Sequence, residues 1–433
     1  MDRQTLRRTV DTALAEQPTT DLHTHVFAPG FGHSEDGTGK GLLLWGIDEL
    51  VIYHYLIAEV FRVVPADEMP YEKFWNMSRS EQADHIWKNL FAERTPISEA
   101  QRGVLTTLTR LGLDPNEKTL EPYRKWFAQW DPNDYIDKVM ELANVDSITM
   151  TNEVFDPHEH QLWLDNPQVA ADSRFEAVLR IDQLLRDWPS AMQNLQQWGY
   201  SVGRTLTQHT LDEVRRFLAE WIDRMGAIYV ATSFGPDFKY PDPDHPEIEA
   251  IFEYALMPVL EEKGLPYAMM IGAQRGANPS LRAAGDANGK ADMQSLINIC
   301  SGFPNNRFLV TMLSRENQHE LCVIARTFGN LLPFGCWWFL NNPTLIDEIT
   351  RMRFELLGST FVPQHSDARI VDQLIYKWDH SRKIIGDVMT DKYAEAIEAG
   401  FNVTEAHIRD DVRRLMRDNF RSFCGLSTAP AMA

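Results

Sequence analysis

Cysteine is scarce in this chain. Its four residues, Cys300, Cys322, Cys336 and Cys424, are spread over 433 positions. None stands in a C-x-x-C pair, so neither a zinc ribbon nor a disulfide framework is predicted. Long apolar runs are also missing. The longest candidate, Leu42 to Phe61, is interrupted by Asp48 and Glu49, too polar for a membrane span. The first residues, MDRQTLRRTVDTALAEQP, lack the apolar stretch of a secretory leader, and a cytoplasmic location is expected. Positive charge is in deficit. Lys and Arg number 42 against 62 Asp and Glu, a net charge of −20. Nucleic acid and anionic membrane both call for a basic face, so neither is an expected partner. No P-loop, G-x-S-x-G or dinucleotide fingerprint occurs.

Large apolar side chains, by contrast, are plentiful: 12 Trp and 22 Phe, within a hydrophobic share of 44%. That composition supports a large packed core and excludes general disorder. Eight short apolar runs recur between helical stretches: Thr19–His25, Val145–Thr151, Glu176–Asp182, Ala227–Ser233, Tyr267–Gly272, Arg307–Leu313, Leu331–Phe339 and Thr360–Asp367. Most are continuous rather than alternating, as in parallel strands buried on both faces. Residues 210–225, 316–328 and 342–358 carry apolar residues at helical spacing. Strand–helix alternation of this kind predicts an α/β fold, a (β/α)₈ TIM-type barrel forming a single domain over 1–433. About 120 residues separate the first two runs, where a plain unit needs about 30. The excess, 28–144, starts with a Gly-rich loop and then reads as helical, with one long apolar helix predicted over Leu42–Arg62. Further helical pieces follow at Phe74–Phe91, Ser98–Leu111 and Glu121–Leu142. A helical insertion leaving strand 1 should cover the C-terminal face of the barrel, where barrel active sites are built.

His23 and His25 end strand 1 as Asp-Leu-His-Thr-His. Residues i and i+2 of a strand face one way, so the two imidazoles converge and suit Zn²⁺ or another divalent first-row metal. Chance alone would give about 0.4 H-x-H pairs in such a chain, so strand position carries the argument. A second pair, His158-Glu159-His160, follows Asp-Pro in a polar stretch and reads as a solvated loop. Asp367 ends strand 8, the neighbour of strand 1 in a closed barrel, and can complete a two-nitrogen, one-oxygen set; the alternative is a helix N-cap before Ala368–Trp378. His365 lies one pleat deeper, as a satisfied core histidine or a lining residue. His54 and Tyr55, mid-helix in Tyr-His-Tyr, are core residues or site residues depending on where the insertion helix lies. Arg180 near the end of strand 3 and Arg369 after Asp367 could bind a carboxylate bidentately or make structural ion pairs. Trp337 and Trp338 end strand 7 and could wall a sugar pocket or fill the core. Arg315, Glu316, Asn317 and His319 follow strand 6 as candidate pocket liners.

The segments DLHTHVFAPGFG (21–32), LLLWGIDELVIYHYLIAEVFR (42–62), SRFEAVLRIDQLL (173–185), FLVTMLSRENQHEL (308–321), FGCWWFLNNP (334–343) and FVPQHSDARI (361–370) together resemble the uronate (glucuronate) isomerase family of the amidohydrolase superfamily. The likeness is to a divergent bacterial branch with Thr between the two histidines, where other members carry Cys. Residues 33–40 look like an extra loop relative to that branch. Binuclear hydrolases of the superfamily have a bridging Lys on strand 4 and His on strands 5 and 6, and the corresponding runs here supply none of these. The resemblance therefore implies one divalent metal on His23, His25 and Asp367, zinc first, with manganese or iron as alternatives. It implies isomerisation of D-glucuronate to D-fructuronate, and of D-galacturonate to D-tagaturonate, by proton transfer between C2 and C1 through a cis-enediol. Asp367 and Tyr55 would move protons, His54 would orient the sugar, and Arg180 and Arg369 would bind its carboxylate or hydroxyl groups. A homo-oligomer is expected. The competing readings are a mononuclear hydrolase or decarboxylase on the same scaffold, and a sugar-acid binding protein without catalysis.

Overall fold

Most of the apolar runs form parallel strands. The computed structural model describes residues 1–33 and 40–428, so the loop at 33–40 falls mostly outside the described residues. Its strands are β1 (Thr19–Thr24), β2 (Val145–Glu153), β3 (Phe175–Arg180), β4 (Val230–Phe234), β5 (Tyr267–Ile271), β6 (Ala273–Gln274), β7 (Ala287–Asn288), β8 (Phe308–Met312) and β9 (Leu331–Pro333). Seven of them form one parallel sheet in the order β1-β2-β3-β4-β5-β8-β9, while β6 and β7 pair as a small antiparallel hairpin. The sheet curls in the manner of a TIM-type barrel. Side chains alternate between two cores. Ala231 of β4, Ala268 and Met270 of β5 and Leu309 of β8 join an inner cluster. Val230, Met269, Ile271 and Val310 belong to the larger cluster shared with the helices. Both faces of each strand are therefore buried, which is why the runs are continuously apolar.

The run Thr360–Asp367, predicted as an eighth strand, forms no ladder. It makes a single bridge, Val362 with Phe334. Even so, its backbone bonds both sheet edges. Val362 N donates to Pro333 O at 3.1 Å and Gly335 N to Val362 O at 2.9 Å, while Asp367 N donates to His23 O at 3.2 Å. Pro363 removes a ladder donor, and Asp367 takes a left-handed φ of 50°, which ends extended geometry. The run Leu331–Phe339 is also shorter than predicted. Gly335, at φ 64°, turns the chain after β9, so Trp337 and Trp338 follow a turn instead of ending a strand.

Helix α1 (Arg3–Glu16) precedes the sheet. Between β1 and β2 lie α2 (Ile47–Val51), α3 (His54–Val63), α4 (Tyr71–Trp75), α5 (Arg79–Trp87), α6 (Glu99–Arg110), α7 (Glu121–Phe127) and α8 (Pro132–Ala143). The one helix predicted over Leu42–Arg62 is thus two. Gly46 starts α2 at φ 98°, a conformation open to glycine. Its N–H goes to Asp372 Oδ2 at 2.9 Å, and Leu44 bridges Ile370. Tyr53 is extended at φ −62°, ψ 143°, so His54 and Tyr55 open α3 and are not mid-helix. The pair His158–His160 is likewise no solvated loop. Asp156 caps α9 (Pro157–Asp165) by accepting from His158 N and Glu159 N, with Pro157 at its first position. His160 is buried, its ring stacked 3.9 Å from that of Trp198. No helix of the described residues is long and apolar enough to cross a membrane.

Candidate metal centre

Three side chains converge where β1 meets the irregular 360–367 segment. His23 Nε2 lies 3.7 Å, and His25 Nε2 3.5 Å, from Asp367 Oδ1. Asp367 is not a helix cap, since the next helix starts at Gln373. Its Oδ1 is buried and accepts no hydrogen bond from the described residues. A buried carboxylate oxygen without a donor is costly, and two imidazole nitrogens facing it form a donor set that fits a divalent cation. Both rings are oriented from behind. Thr151 Oγ donates to Thr24 O at 2.8 Å, so it accepts from His25 Nδ1 at 3.0 Å. Tyr229 OH donates to Leu22 O at 2.7 Å and faces His23 Nδ1 at 3.5 Å. Each contact puts the proton on Nδ1 and leaves the Nε2 lone pair toward the cluster. Burial lowers both histidines, His23 well below its ordinary range, so they are neutral ligands at neutral pH. Burial pushes Asp367 up, but His25, His23 and Lys377 together outweigh it and hold the carboxyl far below its usual range.

The cluster opens into a cavity of about 90 Å³ lined also by Tyr53, His54, Arg180, Ser233, Arg275, Trp337, Trp338 and Arg369. Three guanidinium groups therefore face one small space. Arg180 pairs with Asp182 and, at 3.5 Å, with Glu153. Arg275 donates to Asp286 at 2.6 Å and stands 5.2 Å above the Trp338 ring. Arg369 is exposed and makes no ion pair among the described residues. His54 and Trp338 also line a second cavity of about 320 Å³, which holds Tyr55, Tyr376 and Lys377. His54 is drawn down to about 3 by burial and then by Arg369, so it is a neutral hydrogen-bonding group. Burial, then Tyr53, pushes the Tyr55 phenol well up, and its buried OH has no hydrogen-bond partner among the described residues.

Of the predicted residues, His23, His25, Asp367, His54, Arg180, Arg369, Trp337 and Trp338 are brought together around one pocket, and Tyr55 lies in the adjoining cavity. Arg315 and His319 are not. Arg315 turns outward to pair with Glu348 at 3.0 Å, and His319 is exposed on the helix Gln318–Thr327. His365 is buried as predicted but is not satisfied: neither ring nitrogen has a hydrogen-bond partner among the described residues. It packs edge-on to His23 with centroids 5.4 Å apart. Tyr53, Ser233 and Arg275 were missed. Arg275 could have been found by the rule that nominated Arg369, since it lies four residues past the end of β5, where barrel loops carry function.

No family model matches the sequence, and no curated protein does. Solved structures do. A uronate isomerase from Bacillus halodurans is similar at 47% identity and a TM-score of 0.93, covering 99% of this chain and 98% of that one. A uronate isomerase from Thermotoga maritima is 16% identical, with a TM-score of 0.74 over 98% of this chain and 99% of its own. A glucuronate isomerase from Caulobacter crescentus is 13% identical, also with a TM-score of 0.74, over 99% and 95%. The last two speak to the fold alone.

Proposed function

The chain belongs to the uronate isomerase family, and we propose that it interconverts D-glucuronate with D-fructuronate and D-galacturonate with D-tagaturonate at the His23–His25–Asp367 centre. The observation that carries this reading is the pairing of one cation site with Arg180, Arg275 and Arg369 around one small pocket. That pairing suits a substrate with a carboxylate at one end and a carbonyl at the other. We read the fold as one barrel closed by the 360–367 segment, with 28–144 covering the mouth. Zinc is the proposed metal, because two imidazoles and a carboxylate are a common zinc donor set.

His23, His25 and Asp367 would hold a divalent cation, which would supply Lewis acidity when bound. The remaining work falls to side chains. Arg369, which has no carboxylate partner among the described residues, and Arg275 bind the sugar's carboxylate and set which end reaches the centre. A base takes the proton from C2, the cis-enediol forms, and the same proton store returns it to C1, while the hydroxyl proton passes between O1 and O2. Asp367 is the proposed base. Tyr55, protonated across the working pH range, carries the proton between the oxygens, and neutral His54 orients the sugar by hydrogen bonding. Trp337 and Trp338 wall the ring face and exclude water. The test is isomerisation of glucuronate by the metal-stripped chain, then after adding Zn²⁺, Mn²⁺ or Fe²⁺ singly. Metal-dependent formation of fructuronate is expected. A chain inert with all three and with both uronates overturns the reading.

A further inference from the structure

Lys377, in the second turn of the helix Gln373–Glu398, is only 2% exposed. It makes no ion pair among the described residues. Its Nζ donates to the backbone carbonyl of Ser366 at 2.5 Å and lies 5.7 Å from the centroid of the Tyr55 ring. An unpaired buried ammonium is costly, and a methionine would fill the same volume without that cost. What the ammonium touches is the turn that carries Asp367. A left-handed φ is disfavoured at a non-glycine residue, so the φ of 50° at Asp367 is sustained by its surroundings.

Those surroundings are explicit. Ser366 is held at its carbonyl by Lys377 and at its N–H by Asp21 Oδ1, 3.1 Å away. Asp21 stands two residues before His23 on β1, and its other oxygen accepts from Trp378 Nε1 at 2.8 Å. Ala368 N closes the turn onto Ser366 Oγ at 3.1 Å. Neighbouring residues of one helix, Lys377 and Trp378, thus grip both ligand-bearing segments.

We propose that Lys377 is a positioning residue: with Asp21 it clamps the Ser366–Asp367 peptide so that the Asp367 carboxylate faces His23 and His25, and it ties the Tyr55 ring to the same support. The proposal rests on the metal-centre reading, and the experiment separates the two. The metal-stripped full-length chain is titrated with Co²⁺, following its visible absorption, and then with Zn²⁺ in competition. If the wild-type chain takes up no Co²⁺, the metal-centre reading fails and takes the clamp with it. If it does, Lys377→Met is expected to keep the wild-type far-UV circular dichroism, bind Co²⁺ roughly 10–100-fold more weakly and show an altered absorption band, as outer-sphere changes do. Lys377→Arg, which retains a cationic donor, should recover part of both. A Lys377→Met chain with wild-type affinity and band overturns the proposal. Should that variant not fold, Asp21→Asn tests the clamp from its other side: weaker Co²⁺ binding supports it, and unchanged affinity and band overturn it.

Discussion

Replacing Gly335 by alanine should damage the metal centre without touching a ligand. Gly335 turns the chain after β9 at φ 64°, where a side chain costs roughly 1–2 kcal/mol. A Cβ there would lie 1.7 Å from His365 Nδ1 and 2.4 Å from its Cε1. Neither side can yield easily. The glycine is held by its N–H to Val362 O at 2.9 Å and by Arg353 Nη2 on its carbonyl at 2.8 Å. The His365 ring is packed between His23 and Phe334, with centroids 5.4 and 5.2 Å away. Overpacking of this kind costs about 1–3 kcal/mol, so the total is about 2–5 kcal/mol. With unfolding entropy of about 2.1 cal/mol/K per residue, a 433-residue chain moves by about 1 °C per kcal/mol, which gives a fall of about 2–5 °C in Tm.

The clash has a named partner, so the reasoning can be divided. In Gly335→Ala/His365→Ala the overpacking disappears while the backbone strain stays. Differential scanning calorimetry of the two single variants and the double should give a coupling of about 1–3 kcal/mol in favour of the double. Metal affinity should follow the same order, because in the single variant the displaced ring presses on His23, and in the double it does not. Additivity within about 0.5 kcal/mol, or a Gly335→Ala chain with wild-type Tm, would refute the account.

Asp367→Asn should leave the fold intact yet reduce metal retained after dialysis at least tenfold, read by elemental analysis; full retention would remove Asp367 from the centre. Arg275→Met should raise KM for the uronate by about 10-fold or more with a smaller change in kcat, the size of a lost charge-assisted hydrogen bond; an unchanged KM would place the carboxylate elsewhere. His54 supplies a pH test. The folded chain holds it down to about 3 from the ordinary 6.5, chiefly through burial. Below about pH 6.5 the unfolded chain takes up a proton that the folded chain refuses, so stability falls as pH drops toward 3. His54→Gln should flatten that slope by about 1.4 kcal/mol per pH unit between about pH 6 and 4, measured by denaturant midpoints. Equal slopes would mean that His54 is protonated in the folded chain.

The sheet was legible because burial on both faces leaves an unmistakable residue pattern. Tyr267–Gly272 and Arg307–Leu313 needed nothing beyond their own composition, and β5 and β8 lie within them. What could not be read was set by contacts distant in sequence. The late start of α2, at Ile47 and not at Leu42, goes with Asp372 holding Gly46 and Leu44 bridging Ile370, each more than 320 positions away. The same holds for Arg315, whose outward turn answers to Glu348. Asp156-Pro157 was misread for a local reason: Asp then Pro is as good a helix start as it is a turn.

The residues that break local rules are not scattered. Among the described residues, four non-glycine residues take positive φ: Asn144, Arg282, Trp338 and Asp367. Asn144 has an ordinary cause, since it caps the C-terminus of α8. The other three surround the site. Trp338 and Asp367 line the pocket, and Arg282 precedes Ala283, which lines it too. His365, whose ring nitrogens have no hydrogen-bond partner among the described residues, and Lys377, which makes no ion pair among them, lie directly behind. Each feature is unfavourable alone, and together they bear on one carboxylate, one imidazole pair and one aromatic wall. Stability alone would not gather them there. A requirement that Asp367 point at His23 and His25, and that Trp338 stand beside Arg275, would do so: the irregular 360–367 segment brings its carboxylate to the two imidazoles at the end of β1, the first strand of the seven-stranded sheet.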